Sequence, residues 1–460
     1  MKRAIVASLV LAAVLAGAYG YVVTRWEANY RELLLVGDAA AAAGDLVAAI
    51  EAFSGAIALK PDSMAAHLKR GEAYWRREDL ETAARDLRRA VDLDSSAPRP
   101  RELLGDVSYA LGRYERAADH YREYVELDDS SHRLYYKLGL AHYRAGGAEA
   151  CIAALDGAVA LDERSAETHY LRGLCLRDAQ KPKEAVAALE RAVALSPAML
   201  QSREELAEVY GRLGRADHRI GQLEALRALD PGPSRQVALG LAHAEAGDAS
   251  SAVQVLSRAA RLYPAHRYTY VALGRVWLDV AHASDDRIAL NKAIEALQNA
   301  TGMEANGEAL MLSGRALLLA GDVEAAERAL QQATEKLPVE PAAFPFLADA
   351  AERLGHLEIA REALIDYDSL SPDTADPRRA SRVAATIAEL SMRLDDPATA
   401  VHWYARRAAT TAPDAPLLAR MAEAHLANGD PQAARTAVEK ALALDPTHPR
   451  ALALSRKIRQ

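Results

Sequence analysis

The sequence predicts an all-α fold, a solenoid of tandem helix–turn–helix units, and three observations carry that expectation. Hydrophobic residues make up 50% of the 460, yet aromatics are only 5%. A core filled by alanine and leucine, with few runs of valine, isoleucine and phenylalanine, favours helix over strand. Small residues recur at a fixed interval: Gly37, Gly71, Gly105, Gly139 and Gly173 are each 34 residues apart. A period of that length marks stacked repeats. Finally, turns of one kind, such as Ala43-Gly44-Asp45 and Ala246-Gly247-Asp248, recur between apolar stretches.

The N-terminus precedes the repeats. Lys2 and Arg3 lead into an uncharged stretch, Ala4 to Val23, that ends before Arg25. As a helix this stretch rises about 30 Å, the thickness of a bilayer's hydrocarbon core. Tyr19, Tyr21 and Trp26 fall where an interfacial aromatic belt lies. Residues 4–23 are therefore expected to contact the lipid bilayer as an N-terminal apolar helix, an anchor within residues 1–29. If Lys2 and Arg3 stay inside, the rest of the chain lies outside the cytoplasm. The alternative is a cleaved signal segment, with Ile5–Leu15 as its apolar region and Ala16-Gly17-Ala18 as its cleavage site.

From residue 30 the small-residue count runs on through Ala207, Gly240, Gly274, Gly314, Ala348, Ala388 and Ala422. Twelve residues after most of these stands a second small residue, as at Ala49, Ala83, Ala117, Cys151 and Ala185. Each unit reads as two helices. Glycine in the turn supplies a left-handed C-cap, and aspartate starts the next helix. Gly37 and Ala49 are expected to face each other where the two helices cross. A proline such as Pro61, Pro197 or Pro446 stops the second helix. One such unit cannot bury its apolar face alone and must stack on neighbours. Twelve units fill residues 30–448, with Arg219 standing in the small-residue slot of the sixth. Longer units near 279–292 and 373–380 are the expected bends. Residues 449–460 read as a capping helix with Arg456, Lys457 and Arg459 turned to water. This accounting leaves no length for a catalytic domain.

Charge and motifs agree. A net charge of −8 argues against a nucleic-acid partner. The chain has no GxxxxGK[ST], HExxH or CxxC, and no strand-led GxGxxG. His142, His243 and His425 share one repeat slot with Tyr74 and Tyr210, which makes them packing residues rather than metal ligands. Cys151 fills a small-residue slot and Cys175 lies in the first helix of a unit. The preferred reading is two small buried thiols, a disulfide in an oxidising compartment being the alternative. Carboxylates are spread over helix surfaces without a pair set apart as acid and base. No enzymatic activity, cofactor, metal or small-molecule substrate is expected.

Gly71, Tyr74, Ala83, Leu87 and Ala90 of the second unit, with Gly37, Ala49, Phe53, Ala56 and Pro61 of the first, resemble the tetratricopeptide repeat family. The resemblance implies a right-handed superhelical solenoid in which the first helix of each pair lines a concave groove. The groove slots of units three to five hold Arg99, Tyr109, Arg133, Tyr136, Tyr143, Arg144, Tyr170 and Arg177, with Leu140 and Leu174 between them. Tyrosine and arginine are the side chains that dominate binding energy at protein interfaces. A secondary patch comprises Tyr268, Arg275, Met311 and Arg315. The ninth slot is acidic in seven units (Asp38, Glu72, Asp106, Glu208, Asp349, Glu389 and Glu423) and is never asparagine. That argues against the family's carboxylate clamp for chaperone tails, and acid-lined groove ends imply partners of mixed charge. Similarity to alanine- and arginine-rich bacterial repeat proteins further implies a scaffold for protein or peptide partners that assembles an envelope complex. It would be single-pass in the inner membrane with the repeats in the periplasm, or secreted there after signal cleavage. The alternative is a cytoplasm-facing, single-anchor regulatory adaptor of envelope biosynthesis.

Overall fold

The computed structural model describes residues 2–303, 306–370 and 376–459, apart from the side chains of 2–10, 12, 13 and 459. Among the described residues there are 25 helices and no strand, and the chain divides after Leu229 into two compact units. The first holds α1 (Lys2–Ala42), α2 (Leu46–Leu59), α3 (Met64–Arg76), α4 (Leu80–Leu93), α5 (Pro98–Ala110), α6 (Tyr114–Leu127), α7 (His132–Arg144), α8 (Ala148–Leu161), α9 (Ala166–Asp178), α10 (Pro182–Leu195), α11 (Leu200–Arg212) and α12 (Ala216–Leu229). The second holds α13 (Pro233–Glu245), α14 (Ala249–Leu262), α15 (Arg267–Ser284), α16 (Arg287–Met303), α17 (Gly307–Ala320), α18 (Val323–Thr334), α19 (Ala343–Leu354), α20 (Leu357–Leu370), α21 (Pro377–Arg393), α22 (Pro397–Thr410), α23 (Ala415–Ala427), α24 (Pro431–Leu444) and α25 (Pro449–Arg459).

Within each unit an odd-numbered helix packs most heavily on the even helix that follows it, and that helix packs on the next odd one. Successive odd helices also touch: α3 with α5, α7 with α9, α15 with α17. Within each unit the odd helices therefore form one layer, and its outer side is a face on which a ligand can lie. This is an all-α solenoid of paired helices.

The turns form as their residues require. Gly44 and Gly247 take φ of 82° and 84°, a left-handed conformation that costs other residues energy. Asp45 and Asp248 then accept hydrogen bonds from the amides of Ala48 and Ser251, capping α2 and α14. Where glycine is missing from the turn, Glu78, Gln180 and Asp395 take the positive φ instead.

The crossing of each pair differs from expectation. What closes over the repeat glycine is not the alanine twelve residues on but a large side chain sixteen residues on. Phe53 covers Gly37, Leu155 covers Gly139 and Leu189 covers Gly173, each large residue being almost fully buried. Ala49 is fully buried, but the glycine exists to admit the large residue. The sixth pair uses another device: Arg219 occupies the small slot because Gly211 leaves room, a Cβ there lying 3.3 Å from Arg219 Cδ.

Three further expectations concern the two inserts and the C-terminus. The extra residues at 279–292 lengthen helices rather than open a loop: α15 has 18 residues and α16 has 17, joined through Asp285 in a left-handed conformation. The insert at 373–380 lies partly outside the described residues; from Asp376 on, that carboxylate caps α21 by accepting from the amides of Arg378 and Arg379. The terminal helix α25 packs on α23 and α24 through buried Ala451 and Leu454, leaving Arg456 and Lys457 exposed, while the side chain of Arg459 lies outside the described residues.

Two expectations are corrected. Cys151 and Cys175 are joined as a disulfide between α8 and α9, with Cα atoms 6.2 Å apart, rather than remaining two thiols. Both slots are small and fully buried, and the packing of α8 on α9 brings them face to face. A thiol assay on the unfolded, unreduced protein is expected to find no free cysteine; two would restore the sequence reading.

The second correction concerns the membrane. Among the described residues no helix is long and apolar enough to cross a bilayer, so the bilayer span over residues 4–23 and the single-pass inner-membrane placement do not hold. The apolar stretch does not end as an element of its own. It runs without a break in α1 past Arg25, Glu27, Arg31 and Glu32 into the first helix pair. Leu11, Val14, Leu15, Tyr19 and Trp26 are exposed, and burial begins at Tyr30, whose hydroxyl meets Ser63 Oγ at 2.5 Å. The side chains of residues 4–10, 12 and 13 in the expected span lie outside the described residues.

Candidate partner-binding groove

Helices α5, α7 and α9 are successive odd helices, so their outward slots share one side of the first unit. Four of the expected residues there are tyrosines. Tyr109, Tyr136, Tyr143 and Tyr170 are all half-buried. Tyr136, Tyr143, Tyr170 and Leu140 rest on the core cluster that contains the disulfide, Ile152, Leu155, Leu171 and Leu174. Tyr109 packs edge-on against Tyr114, with ring centroids 5.2 Å apart. Their rings are thus fixed at the base while their outer edges remain accessible, which is how an amphipathic aromatic serves an interface. Burial, then Glu167 and Tyr109, push the Tyr136 hydroxyl above its ordinary range; burial and Glu205 do the same for Tyr170. Both remain hydrogen-bond donors at neutral pH.

The expected arginines divide. Arg99 lies between Glu72 at 3.4 Å and Glu102 at 3.1 Å, and Arg133 meets Glu102 at 2.5 Å. Arg177 is held by Asp178 at 2.8 Å and Glu205 at 2.5 Å. Those carboxylates, with burial opposing them, keep its guanidinium raised above its ordinary pKa. These three are already paired within the chain. Arg144 is exposed, lies beside Tyr109 and has no carboxylate partner among the described residues. It is the guanidinium that a ligand meets without displacing a native ion pair.

The acidic ninth slots are also engaged, which corrects the expectation of acid-lined groove ends. Asp38 pairs with Lys69 at 2.5 Å, Asp106 with Lys137 at 2.7 Å, and Glu389 with Arg420; each cation stands 31 residues on, in the next odd helix. Glu72 and Glu423 pair with Arg99 and Arg450, each 27 residues on. Five of the seven slots are thus paired to the next odd helix in a ladder between repeats, while Glu208 and Asp349 pair with Arg212 and Arg353 of their own helices. Sequence reasoning missed Lys137 and Glu102, the centre of this ladder; the signal available was a basic residue recurring 31 positions after the acid.

The secondary patch is mixed. Arg267 lies over the exposed Tyr268 ring at 4.8 Å, Arg275 pairs with Glu308, and Arg315 lies over the Phe346 ring at 5.9 Å. Met311 is only 9% exposed and belongs to the core, so it offers no contact surface. Arg315, Leu318, Leu319, Phe346 and Asp349 line a cleft of about 450 Å³. Among the described residues there is no group of three His, Cys, Asp or Glu placed to hold a metal.

Comparison with known proteins follows this geometry. The profile described as "Tetratricopeptide repeat" matches residues 68–132, 290–345 and 314–373, a second so described matches 415–455, and "TPR repeat" matches 37–77. The profile "Anaphase-promoting complex, cyclosome, subunit 3" matches 120–192. No curated protein sequence matches significantly. Among solved structures, MamA is 22% identical over 37% of this chain and 92% of its own, with a TM-score of 0.35. YrrB, described as a TPR protein with an unusual peptide-binding site, is 20% identical over 40% and 96%, with a TM-score of 0.37. The Cut9–Hcn1 hetero-tetramer of APC/C is 14% identical over 94% and 96%, with a TM-score of 0.35. At such scores these superpositions assign nothing to this chain beyond the profile matches. Paired helices, small-residue slots and profile matches agree: the matched stretches of the chain are tetratricopeptide repeats.

Proposed function

We propose that the chain is a non-catalytic scaffold for protein–protein interaction, and that its twelve repeats present the α5–α7–α9 face to a segment of a partner protein. Tetratricopeptide repeats generally mediate protein–protein interaction, which supports the class of function. One observation carries the location. Tyr109, Tyr136, Tyr143 and Tyr170 form a row of anchored aromatics beside Arg144, a cation without an ion-pair partner among the described residues, on a surface where Arg99, Arg133 and Arg177 are already paired. Aromatic rings held rigid lose little entropy on binding, and an adjacent guanidinium suits an acidic or carbonyl-rich segment. The ladder of ion pairs between repeats fixes the spacing of these anchors.

The partner is to be isolated by capture on the full chain and then measured against variants. Arg144→Glu is expected to weaken binding at least about tenfold, since it reverses a charge at a hot-spot position. Arg89→Glu, on the exposed side of α4, is expected to leave it unchanged. Equal binding by wild type and Arg144→Glu would contradict the placement.

A further inference from the structure

A second feature of the first unit lies off this face. Residues of α4, α5 and α6 enclose a pocket of about 330 Å³. Its walls include Ala84 of α4 and Leu104 of α5, both buried and apolar. Leu104 and Ser108 line it from a different face of α5 than the one that carries Arg99 and Tyr109. Three guanidiniums stand around it: Arg88 from α4, and Arg113 and Arg116 from the first turn of α6 and the residue before it. Arg113 reaches Glu81 at 2.5 Å, but Arg88 and Arg116 are exposed and carry no ion pair among the described residues.

This is unusual in a chain of net charge −8 whose arginines are so often matched to carboxylates. The two acids at the pocket do not cancel the arginines. Asp119 is held by Arg122 at 2.5 Å and Glu123 by Arg101 at 3.3 Å, both cations from outside the pocket lining. The N-cap of α6 is Arg113 itself, without a side-chain cap hydrogen bond, and the acid of the first turn, Glu115, lies outside the pocket lining. Deeper in, His120 Nδ1 is buried without a hydrogen-bond partner, its nearest carboxylate oxygen, on Glu123, being 4.0 Å away. A buried polar atom left unpaired is costly and calls for an explanation.

We propose that this pocket binds a phosphoryl group carried on an apolar stem, the stem resting on Ala84 and Leu104 while Arg88 and Arg116 grip the oxyanion and His120 Nδ1 completes its hydrogen bonds. Planar guanidinium forks match phosphate oxygens bidentately, and clustered arginines are a recurrent means of phosphoryl recognition. The lining is apolar below and cationic above, which matches such a group better than a free anion. His120 faces Glu123 and Asp119 on its own helix, Arg88 from α4 and Arg101 from α5. Burial, with the two arginines, outweighs the two carboxylates and holds the imidazole below its ordinary value. A dianion placed beside it reverses that balance, so occupancy is expected to raise the His120 titration.

The test uses the full chain and phenyl phosphate at low ionic strength, followed by calorimetry and by imidazole resonances assigned with His120→Gln. Saturable binding is expected, with the His120 titration moving to higher pH on saturation. Arg88→Ala combined with Arg116→Ala should weaken binding about tenfold or more. Both side chains are exposed, so the fold should persist, and Arg88→Lys, which keeps the charge but loses the fork, should weaken binding by itself. Inorganic phosphate is expected to bind more weakly than phenyl phosphate. The proposal is overturned by binding that the double variant leaves intact, by an unmoved His120 titration at saturation, or by inorganic phosphate binding as tightly as phenyl phosphate.

Discussion

Replacing Lys137 by methionine is expected to destabilise the first unit by about 1.5–3 kcal/mol, the cost of removing a charge-assisted hydrogen bond from a buried carboxylate that keeps Arg99 and Arg133 as partners. Lys137 Nζ donates to Glu102 at 3.0 Å and to Asp106 at 2.7 Å, and Tyr121 also donates to Asp106 at 2.7 Å. The Glu102 side chain is 4% exposed. Arg133, which also meets Glu102, is 62% exposed, so Arg133→Met should cost at most about 1 kcal/mol. Burial opposes the Glu102 charge, but the Lys137 hydrogen bond and the charges of Lys137, Arg133 and Arg99 outweigh it and hold its pKa below the ordinary value. A depressed folded pKa contributes stability above the unfolded carboxylate value and loses it as pH falls through the folded one. In Lys137→Met the carboxylate keeps its burial without its main partner. The deficit against wild type should therefore be largest near neutrality and shrink as pH drops below about 4. Urea midpoints across pH measure this; a deficit independent of pH would show that lost packing, not the lost Lys137–carboxylate pairing, is responsible.

Gly139→Leu is expected to be comparably damaging. A Cβ built at Gly139 lies 2.7 Å from Leu155 Cγ and Cδ2, and Leu155 is fully buried. Alanine alone must push α8 off α7 or force Leu155 out of its rotamer, at about 1–3 kcal/mol, and leucine adds to that. Leu155→Ala by itself should cost about 3–5 kcal/mol through the cavity it leaves. Because the two positions fill one space, Gly139→Ala with Leu155→Ala should cost less than the sum of the singles. Strict additivity in chemical unfolding would mean that the two residues do not meet. Gly221 offers the opposite sign: nothing lies within 4 Å of its Cβ position inside α12, so Gly221→Ala should stabilise by about 0.5–1 kcal/mol.

Much of the fold was legible because it repeats. A 34-residue period with a glycine–aspartate turn gives helix pairing, turn conformation and the capping helix without knowledge of any contact. What a period does not give is which side chains meet across it. The residue over Gly37 stands sixteen positions on, at Phe53, because helix α2 returns past α1 at that depth; sequence reasoning chose Ala49, the other constant position. The ninth-slot acids were read as a free charged surface because a salt bridge such as Asp38 to Lys69 joins two successive repeats, 31 residues apart in sequence. The disulfide was missed because small buried cysteines look alike whether oxidised or not. At the N-terminus a run of uncharged residues was taken for a separate element, whereas α1 carries it onward into the repeats. On the candidate face the tyrosines could be found by slot alone, but only the structure separates Arg144 from Arg99, Arg133 and Arg177, which are already paired.

The central claim, that the tyrosine row on α5, α7 and α9 receives a partner protein, is tested most directly by site-specific photo-crosslinking. A photoreactive phenylalanine analogue is placed at Tyr136, at Tyr143 and, as a control, at Arg191 on the exposed side of α10, in the full chain expressed in its own host. The account predicts one discrete adduct, with the same partner polypeptide, from positions 136 and 143, and none from 191. An adduct from 191 alone, or equal adducts from all three, would contradict it and move the binding surface off the odd-helix face.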